Sequence, residues 1–171
     1  RPNIQLPKEI GITIGVTGAV AVNNKMQTNI QDVYAVGDVA ESFSAITGKS
    51  IYRPLGSTAN KMGRIAGDVI TGGNLEHRGV LGTGIFRVFD LHVGQTGMTE
   101  KEAKAADYSV EVLYNIKPNH AEYLGGKELI IKALADKATG RVLGAQVLGS
   151  QGVDKRIDVL ATAITFKAKA E

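Results

Sequence analysis

The pair Gly37-Asp38 is the part of this sequence best suited to chemistry. It follows a short apolar run, Val33–Val36, that predicts a buried strand. Ligands of open parallel sheets lie beyond the carboxyl ends of the strands. Gly37 has no Cβ, so a ligand can approach the backbone closely, and the Asp38 carboxylate can accept two hydroxyl hydrogen bonds from a sugar or ribityl chain. A strand ending in Gly-Asp is also common, and on these two residues alone a structural role remains the alternative.

A helix is predicted shortly after this strand. Ser57 or Thr58 can cap a helix that begins near Ala59, and the chain leaves the helix at Thr71–Asn74. Apolar residues recur on one face at helical spacing; they are Ala59, Met62, Ile65, Ala66, Val69 and Ile70. Gly63 and Gly67 each weaken an exposed helix by about 1 kcal/mol relative to Ala, which indicates that something packs closely against them. An amphipathic surface helix is the alternative interpretation.

The run that begins at Thr28 and ends at Asp38 has the pattern T-x(4)-V-Y-A-x-G-D. This pattern resembles the second FAD-binding motif of the pyridine nucleotide-disulfide oxidoreductases. The resemblance implies that Thr28, Val36, Gly37 and Asp38 contact FAD, and that Asp38 holds the ribityl chain of the flavin.

The resemblance extends in the family's order from Arg1-Pro2-Asn3 to the predicted helix at Gly152–Ile164. The nearest branch is the coenzyme A-disulfide reductase, NADH oxidase and NADH peroxidase group. The segment Pro54–Arg64 is similar to the family's P-L-(A/G)-x-x-A-x-x-x-G-R. In the family the N-terminus of this helix points at the pyrimidine edge of the flavin, where free N–H groups favour negative charge.

This second segment implies two more cofactor contacts, Leu55 and Ala59. Asn60 stands where related coenzyme A-disulfide reductases can present a residue to the thiol substrate. The family can have His at this position, whereas this sequence has Asn. The resemblance therefore implies a substrate role for Asn60 only weakly.

Two features that the family's reaction needs are missing from the sequence. No G-x-G-x-x-G follows a strand, and the chain contains no cysteine. We therefore expect the chain to be the C-terminal portion of a larger FAD-dependent NAD(P)H oxidoreductase, with NAD(P)H as that enzyme's co-substrate, and to contain no catalytic residue of its own. The electron acceptor stays open. The alternative is a non-catalytic dimerisation module with no retained cofactor site.

The predicted fold class is α+β, in two parts. Residues 1–79 are the C-terminal part of an FAD-binding α/β domain, with a first strand at Gly18–Val22. Residues 80–171 are an α+β dimerisation domain, truncated at its C-terminus, with an antiparallel sheet and helices on one face. Its elements are a strand at 84–93, a turn and short strand at 94–98, a capping-box helix from Thr99 through Ala106, strands at 109–116, 129–135 and 142–148, a hairpin loop at 136–141, and a helix from Val153 that runs to the chain end.

Composition restricts the possible partners. The 171 residues carry a net charge of only +3, spread along the chain, which disfavours nucleic-acid binding. No apolar stretch reaches the length of a membrane span. The three histidines, His77, His92 and His120, share no metal-ligand spacing, so no metal site is expected. The resemblance implies a homodimer, and we expect a cytoplasmic location.

Overall fold

The computed structural model describes residues 1–170. The chain divides into two compact units, Arg1–Val80 and a second unit that begins at Leu81. Both are mixtures of helix and antiparallel strand, as the predicted fold class requires. Glu171, the last residue of the predicted second domain, lies outside the described residues.

The first unit contains more irregular chain than regular elements. Its elements are α1 (Gln5–Glu9), β1 (Ser42–Phe43), β2 (Ser50–Ile51) and α2 (Gly56–Ile70), with β1 antiparallel to β2. Its core is a cluster of fully or nearly buried apolar side chains: Ile12, Val20, Met26, Ala35, Ala40, Met62 and Ala66. Two of them, Met62 and Ala66, come from the predicted apolar face of α2, which confirms the helical periodicity.

The two strands predicted near the start of the first unit are wrong as regular strands. Val20 forms one antiparallel bridge with Ile14 and one parallel bridge with Ala40, and Tyr34 forms one antiparallel bridge with Gln27. A strand needs a continuous ladder of hydrogen bonds to a neighbour, and each segment finds a partner at only one position within the described residues. The backbone is still extended at Val36 (φ −142°, ψ 159°).

The start of α2 also differs from the prediction. The helix begins at Gly56, and its N-cap is Leu55 rather than Ser57 or Thr58; no side chain bonds to the cap. Leu55, directly after Pro54, is extended (φ −125°, ψ 137°), so the first helical turn begins at the next residue. The predicted end is confirmed, since α2 stops at Ile70 and Thr71 is its C-cap.

The close packing expected at Gly63 and Gly67 is not present among residues 1–170. A Cβ built on either glycine meets no atom within 4 Å. Ile70, predicted on the apolar face, is 61% exposed. The buried face of α2 is therefore narrower than its sequence pattern indicates.

The second unit is built on a five-stranded antiparallel sheet with the order β3-β4-β7-β6-β5. The strands are β3 (Gly84–Val88), β4 (Leu91–Gly97), β5 (Val110–Pro118), β6 (Glu128–Asp136) and β7 (Val142–Gly149), and the helices are α3 (Glu100–Ala105) and α4 (Val153–Thr165). The three predicted strands at 109–116, 129–135 and 142–148 are confirmed to within two residues at each end.

The strand predicted at 84–93 is a hairpin. Val88 pairs with Leu91, so Phe89 and Asp90 form a two-residue loop. Phe89 has φ +51°, a conformation that tight hairpin turns need but that usually belongs to Gly or Asn. Arg87 donates to the Phe89 carbonyl oxygen at 2.5 Å, which supports the turn locally.

Helix α4 packs across one face of the sheet. Val153 and Ile157 are buried against Leu129 and Val147. A Cβ on Gly94 would lie 2.5 Å from Ile157 Cγ1, so this glycine lets the helix approach β4.

Helix α4 ends at Thr165, and the described chain continues past it, with Lys169 bridging Arg141. The expectation that the chain stops inside this helix is therefore wrong.

Helix α3 begins with the predicted capping box, which is confirmed. The Thr99 hydroxyl accepts from the Glu102 N–H, and the Glu102 carboxylate accepts from the Thr99 N–H. The segment that leads into α3 crosses the sheet at Gly144. It lies on the sheet face opposite α4. The prediction of helices on one face therefore holds for α4 and is wrong for α3.

Gly144→Ala should destabilise the second unit by about 3 kcal/mol, because its Cβ would overlap the carbonyl oxygen of Met98, a backbone atom that cannot move aside cheaply. Gly84→Ala in β3 is the matched control, since its Cβ meets nothing within 4 Å. Denaturant unfolding should show a lower midpoint for Gly144→Ala only. Equal midpoints for the two variants would contradict this packing.

Candidate functional site

The Gly37-Asp38 pair forms a tight turn against the first turn of α2. Residues Gly37–Val39 make one turn of 3-10 helix, closed by a hydrogen bond from the Ala40 N–H to the Gly37 carbonyl oxygen at 3.1 Å. Gly37 has φ +71°, and a Cβ on it would lie 3.4 Å from the Ala59 Cβ. The structure thus brings Gly37 and Asp38 close to Ala59, which is more than 20 positions further along the sequence.

The Asp38 side chain is exposed. Among the described residues its carboxylate has no hydrogen-bond or ion-pair partner. A carboxylate can accept up to four hydrogen bonds, so this group is available to bind a ligand's hydroxyls. A carboxylate on a glycine turn beside a helix start is an arrangement suited to a polyhydroxyl chain.

The first turn of α2 packs against the glycine turn that bears Asp38. No side chain caps α2, and its first turn contains no acidic residue. The N–H groups of a helix's first turn have no partner within the helix and carry partial positive charge. Ala59, whose N–H already donates to the Leu55 carbonyl oxygen at 2.9 Å, is the first residue with a helical bond. The helix end therefore offers donors to a ligand at Asp38.

The other predicted contacts differ in how their side chains are bonded and buried. Thr28 stabilises the loop that precedes the turn, since its hydroxyl donates to the Val33 carbonyl oxygen at 2.9 Å and accepts from the Ile30 N–H at 3.2 Å. Val36 is half-buried and directly precedes the turn, and Asn60 is exposed on α2. Their roles toward a ligand stay predictions.

One residue at the glycine turn was missed by sequence reasoning. The Tyr52 hydroxyl donates to the main-chain carbonyl oxygen of Asp38 at 3.0 Å. No motif marks Tyr52, because the bond depends on how the loop between β2 and α2 folds back on the glycine turn.

The sheet face opposite the α4 contacts carries a row of apolar side chains that crosses all five strands. Pairing in register places one residue from each strand in this apolar row: Phe86, Val93, Leu148, Ile130 and Ile116. The end residues Phe86 and Ile116 are 58% and 57% exposed. Val88 and Leu91, at 45% and 47% exposed, extend the same face at the hairpin. A contiguous exposed apolar surface of this kind marks an interaction site.

A polar row borders the apolar row. Lys132, in the next row on the same face, bonds through Nζ to Glu100 at 2.7 Å, and Lys104 bonds the same carboxylate at 2.6 Å. Hydrogen bonds from Lys104 and Lys132 lower the pKa of Glu100 to about 2. The Glu100 carboxylate therefore stays charged through ordinary pH, and its bond to Lys132 ties the start of α3 to the sheet.

His77 in the first unit is buried, at 5% exposure. Its Nδ1 accepts from the Gly79 N–H at 3.1 Å, and its ring lies 6.0 Å from that of Phe43. Burial, and secondarily the charge of Lys61, lower the pKa of His77 below its usual value of 6.5.

Lowering the pH should therefore destabilise the first unit through His77. The unfolded chain binds a proton there more readily than the folded one, so the stabilisation is full above pH 6.5 and is lost as pH falls from there toward the folded-state pKa. Unfolding midpoints between pH 7.5 and 5.5 should fall less steeply for His77→Gln than for the unmodified chain. His120→Gln, at an exposed loop position, is the control. An unchanged slope in His77→Gln would show that His77 does not titrate as described.

Comparison with known proteins agrees with both units. The family profile described as "Pyridine nucleotide-disulphide oxidoreductase, dimerisation domain" matches residues 84–171, and the profile described as "Pyridine nucleotide-disulphide oxidoreductase" matches residues 1–63. The chain belongs to the pyridine nucleotide-disulphide oxidoreductase family, as the sequence predicted.

Three similar proteins illustrate the match. The NAD(P)H sulfur oxidoreductase (CoA-dependent) of Pyrococcus furiosus is 45% identical over 168 residues, 96% of this chain and 37% of that protein. The NADH oxidase of Methanocaldococcus jannaschii is 38% identical over 172 residues, 100% of this chain and 38% of that protein. The solved NAD-dependent persulfide reductase from A. fulgidus has a TM-score of 0.94 and 39% identity, over 99% of this chain and 32% of that one. The chain spans little more than a third of the curated relatives that it matches.

Two further structural observations concern residues 1–170. No helix in this range is both long and apolar enough to span a membrane. The same range holds no group of three or more His, Cys, Asp or Glu side chains placed to bind a metal ion.

Proposed function

We propose that this chain is part of a larger FAD-dependent NAD(P)H oxidoreductase, in which it forms one wall of the flavin site and the surface that pairs two subunits. The observation that carries the proposal is the exposed Asp38 carboxylate, which has no partner among residues 1–170 and stands on a turn packed against the first turn of α2. The family to which the chain belongs supplies the cofactor type. That larger enzyme is the whole protein, of which this chain is a part.

The residues of this proposed wall fit a flavin by their chemistry. Asp38 accepts hydrogen bonds from the ribityl hydroxyls, and Gly37 leaves the backbone accessible beside it. The α2 N–H groups, next to Leu55 and Ala59, stabilise negative charge at the pyrimidine edge. FAD, when bound, supplies a hydride acceptor for NAD(P)H and a donor to a cysteine-based centre, dioxygen, peroxide, a disulfide or sulfur. Thr28 and Val36 belong to the same proposed wall, and Asn60 to a proposed substrate contact.

The second part of the proposal is a homodimer formed through the apolar row. A two-fold pair buries the same surface on both copies and is the commonest closed oligomer. The row crosses the whole sheet from Phe86 to Ile116, so two copies can cover each other's exposed apolar side chains along its length. The match of residues 84–171 to a dimerisation domain supports this assignment.

The same proposal includes a domain boundary between residues 79 and 80. It also includes a cytoplasmic location. The change of compact unit between Val80 and Leu81 supports the boundary. The location follows from the resemblance to NAD(P)H oxidoreductases.

The rival function is a non-catalytic dimerisation module. It is favoured by the dimerisation profile, which matches just over half of the chain, and by the lack of any cysteine. Flavin content separates the two. The whole protein should be purified yellow, with about one FAD per chain released on heat denaturation and identified by chromatography. A colourless protein that takes up no FAD when the cofactor is supplied would favour the rival.

The chain alone should bind FAD weakly or not at all. Asp38 and α2 provide ribityl and pyrimidine contacts, whereas the fingerprint that binds the pyrophosphate is not in this sequence. Each lost 1.4 kcal/mol of contact energy weakens affinity about tenfold. Titration calorimetry should give a dissociation constant well above the micromolar range, and a submicromolar value would contradict this division of contacts.

A further inference from the structure

The phenol of Tyr52 links the two halves of the proposed flavin wall. Tyr52 lies between β2 and Leu55, the N-cap of α2. Its hydroxyl donates to the main-chain oxygen of Asp38 at 3.0 Å. A tyrosine hydroxyl is neutral at pH 7 and is a good donor to a carbonyl oxygen. The bond therefore joins the segment that leads into the helix to the residue that carries the free carboxylate.

The turn that bears Asp38 is held by main-chain hydrogen bonds on either side of that residue, including one from the Val20 N–H to the Val39 carbonyl oxygen at 2.9 Å. One backbone hydrogen bond closes it, from Ala40 to Gly37, and Gly37 needs the left-handed backbone conformation to make it. A Cβ on Gly37 would lie 3.4 Å from the Ala59 Cβ, so the turn lies close to α2. Tyr52 adds a polar link at the next residue, so it restrains the rotation of the Asp38 peptide group and hence the direction of its side chain.

We propose that Tyr52 is a positioning residue for the flavin, which holds Asp38 at the orientation and distance from the α2 N-terminus that the ribityl chain and pyrimidine edge require. This inference rests on the proposed flavin site. Tyr52 acts through Asp38 and is not itself a catalytic residue. Preorganisation of a binding group raises affinity because less ordering occurs on binding.

Tyr52→Phe in the whole protein tests this role, since it removes one oxygen and retains the ring. A neutral hydrogen bond of this type corresponds to a three- to tenfold change in an equilibrium constant. The dissociation constant of FAD from the reconstituted apoprotein should therefore rise three- to tenfold, and the visible circular dichroism of the bound flavin should change. Tyr34→Phe, which removes a hydroxyl with no hydrogen bond in residues 1–170, is the matched control and should alter neither.

A double-mutant cycle separates positioning from packing. In an Asp38→Ala background, Tyr52→Phe should weaken FAD binding by less than about twofold, because the group that it orients is gone. The same three- to tenfold loss in both backgrounds would overturn the inference and assign Tyr52 a packing role. The melting midpoint of the apoprotein, measured in parallel, shows whether each variant is folded.

The remaining outcomes are also decisive. Wild-type FAD affinity in Tyr52→Phe, with the wild type binding FAD, overturns this inference and leaves the proposed flavin site intact. A wild-type whole protein that binds no FAD overturns the proposed function and this inference together.

Discussion

Ile130→Lys should convert the protein from a dimer to a monomer. Ile130 stands in the middle of the apolar row, on a strand with neighbours on both sides. In a paired interface the ammonium group would be buried without a partner, which costs about 3–5 kcal/mol and so weakens association by roughly a hundredfold or more. On the uncovered face of a monomer the same side chain reaches water, so the fold is retained.

Light scattering at micromolar concentration measures this result directly. The unmodified chain should have about twice the 18.1 kDa mass of one copy, and Ile130→Lys should have the single mass. Val159→Lys is the matched control, because Val159 lies on α4 and is 64% exposed, outside the apolar row. An unmodified chain that stays monomeric as its concentration is raised, or an Ile130→Lys variant that stays dimeric, would contradict the assignment of this face.

Asp38→Ala in the whole protein should lower its flavin occupancy. A carboxylate that accepts hydroxyl hydrogen bonds contributes about 1.5–3 kcal/mol, which corresponds to roughly a ten- to hundredfold weaker affinity. Because the Asp38 side chain has no partner among the described residues, its removal breaks no internal contact there and the fold should be unaffected. The loss is therefore expected in binding rather than in stability.

Flavin absorbance per protein after dialysis against buffer measures the occupancy. Asp158→Ala, which removes an exposed carboxylate from α4, should keep the wild-type flavin content. If Asp38→Ala retains as much flavin as Asp158→Ala and resists its loss equally, Asp38 is not a ribityl contact.

The elements that local chemistry specifies could be predicted from the sequence. The capping box of Thr99 and Glu102 and the apolar stripe of α4 each depend on residues within a few positions of one another. The Phe89-Asp90 turn could not be predicted, because Phe89 adopts a left-handed backbone that bulky residues rarely take. Leu55 as a helix cap is likewise unusual, since it provides no side-chain acceptor.

The candidate site could be predicted only in part. Gly37 and Asp38 were recognisable because motif and chemistry coincide within one run of the chain. Their approach to Ala59, and the bond from Tyr52, arise from tertiary folding that no spacing along the sequence reveals. The apolar row needs the register of four strand pairings, and the apolar residues that flank Ile130 and Leu148 along the chain hide which face each of them lies on.

A crystal structure of the whole protein with FAD bound would show where the flavin lies relative to Asp38. We expect an Asp38 carboxylate oxygen within hydrogen-bond distance of a ribityl hydroxyl, about 2.5–3.0 Å, with the first turn of α2 facing the pyrimidine edge. An Asp38 carboxylate that faces solvent while the flavin is bound elsewhere would contradict this expectation.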